Sequence, residues 1–438
     1  MTPPVASDSV TVRASAQAAP IPGEAVPVAG GAGPPIGLYL HVPFCGSLCP
    51  YCDFVVVAGA KAVGPRNRVD AFVAALRREI DLRADLLEVR WGVPGTTVRP
   101  ALATLYLGGG TPSLLPPDEV AGLLELVRAR FGLATDAEIT IEANPGPDER
   151  GDARRLAAAG INRISFGAQA MDAISLRSVG RRHRPADVAA AVLGAREAGV
   201  PSISLDLLYD LPGSTLGTWV NGLEAALSLE PDHLSLYALS LDDPDAEGLT
   251  GADGDHLPVS RGARTWRARA RGFQDEDRAA DMYEHAVTRL ASAGFDGYEI
   301  SNWARPGHRS RHNLAYWQRL PYEAVGPGAH AFDGTTRRWN AAPLDRYIAA
   351  LTPPDGGEPH LPPGSWETIG PSAAAAERVI LGLRTSDGLP AAAADQEPLA
   401  SSFEWALAAG FLVATPDARI TLTTRGRLLA NELFSRLV

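Results

Sequence analysis

Cysteine is nearly absent from this chain, with three in 438 residues. That count excludes a disulfide scaffold, and one disulfide would leave an odd thiol. No apolar run reaches the roughly 20 residues of a membrane-crossing helix. Nor does an apolar stretch of about 7–15 residues follow a basic start, so no signal peptide is read. Basic charge is short as well. A net charge of −11 argues against nucleic acid or an anionic membrane as the main partner. The scarcity of cysteine points to the cytoplasm. What is present, 45% hydrophobic and 21% charged residues, supports one large domain and a smaller one.

The three thiols are packed into one stretch, Tyr39-Leu-His41-Val-Pro43-Phe-Cys45-Gly-Ser-Leu-Cys49-Pro-Tyr51-Cys52-Asp-Phe54, with spacing C-x3-C-x2-C. The apolar run Ile36–Leu40 reads as a buried strand leading into it. This places the cysteines in the loop at a strand's carboxyl end, where α/β folds put their chemistry. Three neighbouring thiolates suit a soft metal centre. A [4Fe-4S] cluster usually takes four thiolates, so three would leave one iron open for a small molecule. A zinc site completed by His41 is the alternative, and unliganded buried thiols the bland one.

Further along, strands and helices alternate. Val69–Leu87 carries apolar residues at helical spacing, and Ala103–Leu107 is a short strand running into Gly108-Gly109-Gly110-Thr111-Pro112-Ser113. Glycines there let backbone approach a ligand closely. No Lys-Ser/Thr pair follows, so this is not a Walker phosphate loop. A helix is predicted over 117–131. Strands are predicted over 138–142, 161–166, 201–207 and 233–239, with helix over 176–199 broken at Gly180-Arg-Arg-His183. This pitch implies a parallel sheet, and six such units imply an incomplete (β/α)6 TIM-type barrel. Glu142, Gln169 and Asp206 recur at strand carboxyl ends, where they either contact a ligand or cap the next helix.

Residues 1–34 read as a disordered Ala/Pro/Gly-rich tail, 35–345 as the barrel with its extension, and 242–278 as a mobile, solvated insertion. Downstream, His312-Asn313-Leu-Ala-Tyr316-Trp317 places His312 and Tyr316 on one helical face. Such a group suits porphyrin ligation and stacking, or equally a packed aromatic seam around a hydrogen-bonded histidine. Residues 372–438, helices plus a hairpin, form a small winged-helix-like domain, expected to pack on the barrel rather than bind DNA.

The cysteine motif with Tyr51 before its last cysteine resembles the radical S-adenosylmethionine (SAM) superfamily. YLGGGTPSLL, ITIEANPG, RISFGAQ, SISLDLLYDLPG and HNLAYW narrow the resemblance to its HemN/HemW branch, over about residues 36–438. The resemblance implies a [4Fe-4S] cluster on Cys45, Cys49 and Cys52. It also implies SAM contacts from Tyr39, Tyr51, Gly109, Gly110, Thr111, Glu142, Gln169, Arg181, Asp206 and Ala238. Two features favour the heme-chaperone side of the branch. Phe54 stands where the oxidase has a further cysteine, and no N-terminal arm leads into the barrel. The HNxxYW segment then implies heme contacts from His312, Asn313, Tyr316 and Trp317. The expected partners are heme, apo-hemoproteins such as respiratory enzymes, and an electron donor for the cluster, with peripheral membrane association only through the acceptors. The alternatives are an oxygen-independent coproporphyrinogen III oxidase and a zinc-stabilised, non-enzymatic scaffold.

Overall fold

The computed structural model describes residues 17–18, 32–58, 67–353, 356–394 and 399–436. Apart from 17–18 and 32–34, the expected tail lies outside these residues. Six strands carry the core: β1 (Gly37–Val42), β2 (Leu102–Gly109), β3 (Leu133–Ala143), β4 (Arg163–Gln169), β5 (Ser202–Tyr209) and β6 (His233–Ala238). Each pairs in parallel with the next. Their crossovers are helical: α1 (Asn67–Trp91), α2 (Pro117–Phe131), α3 (Ala153–Ala159), α4 (Ala173–Ser178), α5 (Pro185–Glu197) and α6 (Leu216–Leu227). The break between α4 and α5 falls at Val179–Arg184, where Gly180 adopts φ +73° and Asp172 caps α4 with its carboxylate.

The barrel is open, as expected for an incomplete (β/α)6 fold. Beyond β6 the sheet continues through β7 (Asn302–Ala304), antiparallel to it. On the other side β8 (Tyr322–Val325) runs parallel to β1, and three strands follow antiparallel: β9 (His330–Phe332), β10 (Thr336–Asn340) and β11 (Gly364–Thr368). Leu38 and Leu40 of β1, Leu105 and Leu107 of β2, and Ile141 of β3 are fully buried against Phe72, Leu76 and Ile80 of α1 and the apolar face of α2. Burying such side chains contributes about 1.5–3 kcal/mol each. The opposite set of alternating residues, among them Tyr106, Glu142, Ser165, Ser204, Asp206 and Ser235, faces the barrel interior and is polar.

One feature differs from the sequence reading. The segment 242–278 is not a solvated loop throughout. It holds α7 (Arg261–Arg271), capped by the Ser260 hydroxyl, and the start of α8 (Glu276–Ser292). Trp266 donates from Nε1 to Ser178 O at 3.0 Å, and Arg267 is 3% exposed. The arginine-rich composition hid a helix whose buried face is largely an arginine. The helical face read for His312 and Tyr316 lies on α9 (Arg311–Trp317), which closes the amino-terminal end of the barrel: its first amides, on Arg311 and His312, donate to the Glu138 carboxylate.

The C-terminal unit has its own core, built on Leu383, Phe403, Phe411, Ile420, Leu422 and Leu433. Helices Pro371–Leu383 and Ala400–Ala408 pack with a three-stranded sheet. It docks on the barrel: Ser386 N donates to Tyr298 O, and the Arg384 guanidinium lies 5.6 Å over the Trp317 ring. No described helix is long and apolar enough to cross a membrane.

Candidate functional site

The carboxyl ends of β1–β6 open onto a cavity of about 390 Å³. The chain leaves β1 through Pro43, and Phe44–Cys45 pairs with Val57–Ala58, pinning both ends of the cysteine loop. Within the loop, Cys52 N donates to Cys49 O at 3.1 Å. All three thiols are free and line the cavity. Burial pushes the Cys45 thiol up to about 11 and the Cys52 thiol up to about 12. An ionised thiolate there needs a cationic partner close by. Polar groups reach all three sulfurs: Thr111 Oγ1 lies 3.5 Å from Cys45 Sγ, Arg181 Nη1 lies 3.5 Å from Cys49 Sγ, the Tyr51 hydroxyl also meets Cys49, and the Phe54 backbone meets Cys52.

The donor set fits a soft cluster better than one zinc ion. His41, the fourth ligand of the zinc alternative, is committed elsewhere. Its Nε2 bonds Val55 O at 2.7 Å and its Nδ1 bonds the Tyr39 hydroxyl at 3.1 Å. Among the described residues no three His, Cys, Asp or Glu converge on a point that would hold a single ion. An iron-sulfur cubane spreads its thiolate ligands more widely than a single ion does.

The glycine-rich turn lies directly against this loop. Gly110 N donates to Val42 O and Thr111 N to Phe44 O, at 2.9 and 2.7 Å. A Cβ on Gly109, which sits at φ +108°, would fall 2.4 Å from the His41 ring, and one on Gly110 would fall 2.6 Å from Phe44 O. No side chain fits at either place.

Two carboxylates face each other across the interior. Glu142 accepts from the Tyr106 hydroxyl at 2.8 Å and from Gly109 N at 2.9 Å. Burial is the first cause that lifts its pKa to about 7, and the charge of Asp206 adds to it. Asp206 accepts from the Ser165 and Ser204 hydroxyls, yet burial still raises it above the ordinary carboxylate range. Gln169 ends β4 at φ +62°, in the left-handed region, where the β4–β5 register also shifts. A non-glycine residue held there stores strain of the kind that collects at functional sites.

The structure gathers Tyr51, Gly109, Gly110, Thr111 and Glu142 on this cavity, together with Gln169, Arg181, Asp206 and Ala238. Tyr39 is not on it. Its ring lies behind the wall, stacked on Tyr106 at 6.1 Å and bonded to His41. The HNxxYW segment sits at the other end of the barrel, and only Asn313 of its four named residues reaches the cavity, as part of its floor. His312 is 1% exposed, with Nδ1 bonded to Thr104 Oγ1 at 2.8 Å and Nε2 to the Tyr316 hydroxyl at 2.7 Å. Neither ring nitrogen is open to a metal. In this structure His312 belongs to an aromatic seam, stacked on Tyr106 and meeting Tyr316 edge-on. Trp317 faces the C-terminal unit instead.

Several contributors were not singled out from sequence. Asn144 donates to Thr111 Oγ1 at 3.2 Å and accepts from Arg181, joining the glycine turn to the arginine that faces Cys49. Glu149 accepts from Gly46 N at 3.0 Å, tying down the cysteine loop. Arg267 reaches over from α7 to Pro50 O, Cys52 O and the Asp53 carboxylate at 3.0, 3.1 and 2.6 Å. Asn144 and Glu149 lie in and just after the ITIEANPG segment, which drew attention to itself. Arg267 had no such signal.

Residues 39–226 match the radical SAM superfamily model. A heme chaperone HemW from Mycobacterium tuberculosis is 38% identical over 409 residues, covering 93% of this chain and 95% of the relative. The HemW of Bacillus subtilis is 31% identical, covering 90% and 97%. The HemW of Escherichia coli is 36% identical over 68% of this chain and 70% of its own length. Among solved structures, coproporphyrinogen III oxidase (HemN) from Escherichia coli superposes with a TM-score of 0.71 at 23% identity, covering 92% of this chain and 90% of that one. At that identity the likeness extends to the fold alone. Taken with the three-thiol loop and its cavity, the full-length relatives establish that this chain belongs to the radical SAM superfamily and, within it, to the HemW heme chaperone family.

Proposed function

We propose that this chain binds heme and passes it to apo-hemoproteins, respiratory enzymes among them, while carrying a [4Fe-4S] cluster and SAM at the mouth of its barrel. The observation that carries the cofactor assignment is the meeting of three free thiols with a polar cavity on one sheet end. Cys45, Cys49 and Cys52 hold the cluster. The backbone of Gly109–Thr111 and the side chains of Glu142, Gln169, Arg181 and Asp206 hold SAM, the carboxylates accepting from ribose hydroxyls. Bound at this site, SAM and the cluster would together supply radical chemistry. The chain's own residues seat it: Arg181 places positive charge beside Cys49, and Asn144 keeps Arg181 and Thr111 in register.

Phe54, 65% exposed at the cavity rim, supports the chaperone over the oxidase. It offers no sulfur where the oxidase has a further cysteine. The protein acts in the cytoplasm, receives electrons from a separate donor, and meets a membrane only through its acceptors. Anaerobic purification tests the reading. Iron and sulfide near four each per chain, heme bound on titration, and no turnover of coproporphyrinogen III are the expected results. Decarboxylation to protoporphyrinogen would replace the chaperone with the oxidase, and stoichiometric zinc without iron would remove the cluster.

A further inference from the structure

Two stretches of this acidic chain carry arginine and no acid. Residues 173–186 hold Arg177, Arg181, Arg182 and Arg184, and residues 257–274 hold Arg261, Arg264, Arg267, Arg269 and Arg271, in a protein of net charge −11. The fold brings the two together over the cysteine loop. The first is α4 with the break behind it, and the second is α7. Trp266 Nε1 donates to Ser178 O, and Tyr51, Leu176, Val179, Trp266 and Ala270 share one apolar cluster. Gly180 presses on the loop: a Cβ there would fall 2.8 Å from Pro50 Cδ.

Each stretch turns one arginine inward. Arg181 reaches Cys49 Sγ at 3.5 Å, and Arg267 holds Pro50 O and Cys52 O. Arg177, Arg182 and Arg269 are exposed, and none of them makes an ion pair among the described residues. The neighbouring acids are spent. Asp172 and Asp275 cap α4 and α8, Asp187 pairs with Arg184 at 3.1 Å, and Asp245 pairs with Arg264 at 2.6 Å on the other flank of α7. A surplus of positive charge is left on the outside of the loop that holds the thiols.

An exposed arginine run is ordinarily only a solvated face. This one stands over the three thiols. Arg182 follows Arg181 in the chain, so a single side chain separates this surface from Cys49. The face also has apolar surface: Leu48, next to Cys49, is 45% exposed, and Ile174, one turn before Arg177, is 74% exposed. Apolar side chains within a charged rim are the make-up of a protein–protein interface.

We propose that this face docks a small acidic protein that carries one electron at a time. Its charge complements the arginines, which steer the encounter and set the orientation. One electron would leave the reduced carrier and enter the oxidised cluster, with no bond made or broken. This inference rests on the cluster assignment above and names where the electron donor meets the chain. The probe is flavodoxin, an acidic flavin carrier, used with the full chain. Calorimetry reads its binding to the chain with and without a reconstituted cluster, and stopped-flow absorption reads reduction of the cluster. The wild type should bind flavodoxin at low ionic strength and release it as salt rises. The triple variant Arg177→Glu, Arg182→Glu, Arg269→Glu should bind at least tenfold more weakly and be reduced at least tenfold more slowly. Dithionite, a small reductant that needs no docking, should reduce variant and wild type equally. Arg78→Glu, at an exposed position of α1, makes the same charge change as Arg182→Glu alone and should leave both readings near wild type. Equal losses from those two single variants would reduce the effect to net charge and sink the face. Unchanged binding and reduction in the triple variant would overturn the inference while leaving the cluster intact. Phosphatidylserine vesicles or single-stranded DNA bound by the wild type and not by the triple variant, with flavodoxin unaffected, would make this a lipid or nucleic-acid face instead. A wild type that assembles no cluster would remove the cofactor reading and this inference together.

Discussion

The two ends of the barrel carry similar residues in different states. At the carboxyl end, thiols, carboxylates and an arginine surround open space, and the sulfurs meet weak polar contacts from Thr111, Arg181, Tyr51 and the Phe54 backbone. At the amino end, a histidine and a tyrosine of equal chemical promise are saturated by Thr104 and by each other. Residue type alone does not separate a ligand from a seam. Unspent hydrogen-bonding or metal-binding capacity beside a cavity does, because a buried polar group without a partner costs about 1–3 kcal/mol unless a ligand supplies one. Substitutions at the two ends therefore have different expected consequences, and each tests whether the ends differ as described.

The largest effect falls at the carboxyl end. Cys49→Ala removes one of three sulfurs in a loop with no spare, so iron and sulfide should fall to background after anaerobic reconstitution. The fold should persist, because the loop is held by Glu149, Arg267 and the Phe44–Val57 pairing rather than by the thiols. Retention of a full cluster in this variant would erase the distinction between the ends.

His312→Ala at the amino end should cost stability instead. It deletes a buried ring and strands the Thr104 and Tyr316 hydroxyls, a loss of about 3 kcal/mol. Cluster content should be unchanged. Burial depresses the His312 pKa to about 3. The unfolded chain takes up this proton below about 6.5, so the contribution is complete above that pH and is lost as pH falls toward 3. Thermal melts from pH 7.5 to 5 should show a shallower acid decline in His312→Gln than in wild type. Loss of the heme spectrum from His312→Ala with no change in melting temperature would make the seam a ligand site after all.

Arg267→Ala sharpens the comparison from the side. Its guanidinium is buried against two loop carbonyls and Asp53, and removing it leaves those acceptors bare, at a local cost of about 2 kcal/mol. The cluster should assemble but decay several-fold faster in air, followed as loss of visible absorption. Equal decay rates would show that the helix over the loop is ornament.

How much of this was legible in the sequence follows the same line. The βα alternation, the cysteine loop, the glycine turn and the strand-end residues Glu142, Gln169 and Asp206 were readable, because strand polarity alone sends them to one end. The surroundings of Tyr39 and His312 were not legible, because alternation along β1 and spacing on α9 fix a face, not what already fills it. Arg267 was invisible because its partners are backbone carbonyls more than 200 residues away in the chain.

The smallest effect returns to the open end and has the opposite pH sign. Glu142 is buried with a pKa raised to about 7, against 4.5 when unfolded. Between those values the folded chain holds a proton that the unfolded chain has released. Stability from this group is therefore full below about pH 4.5 and is lost as pH rises through 7. Glu142→Gln keeps the size and an acceptor for Tyr106 but removes the charge. It should melt with wild type at pH 4.5 and above it at pH 8, while binding SAM more weakly there if the carboxylate receives ribose hydroxyls. Paired melts and SAM titrations at the two pH values decide it. A variant less stable than wild type at pH 8 would mean that the carboxylate is already satisfied by Tyr106 and Gly109, as His312 is by its own partners, and that the open end resembles the closed one more than its cavity suggests.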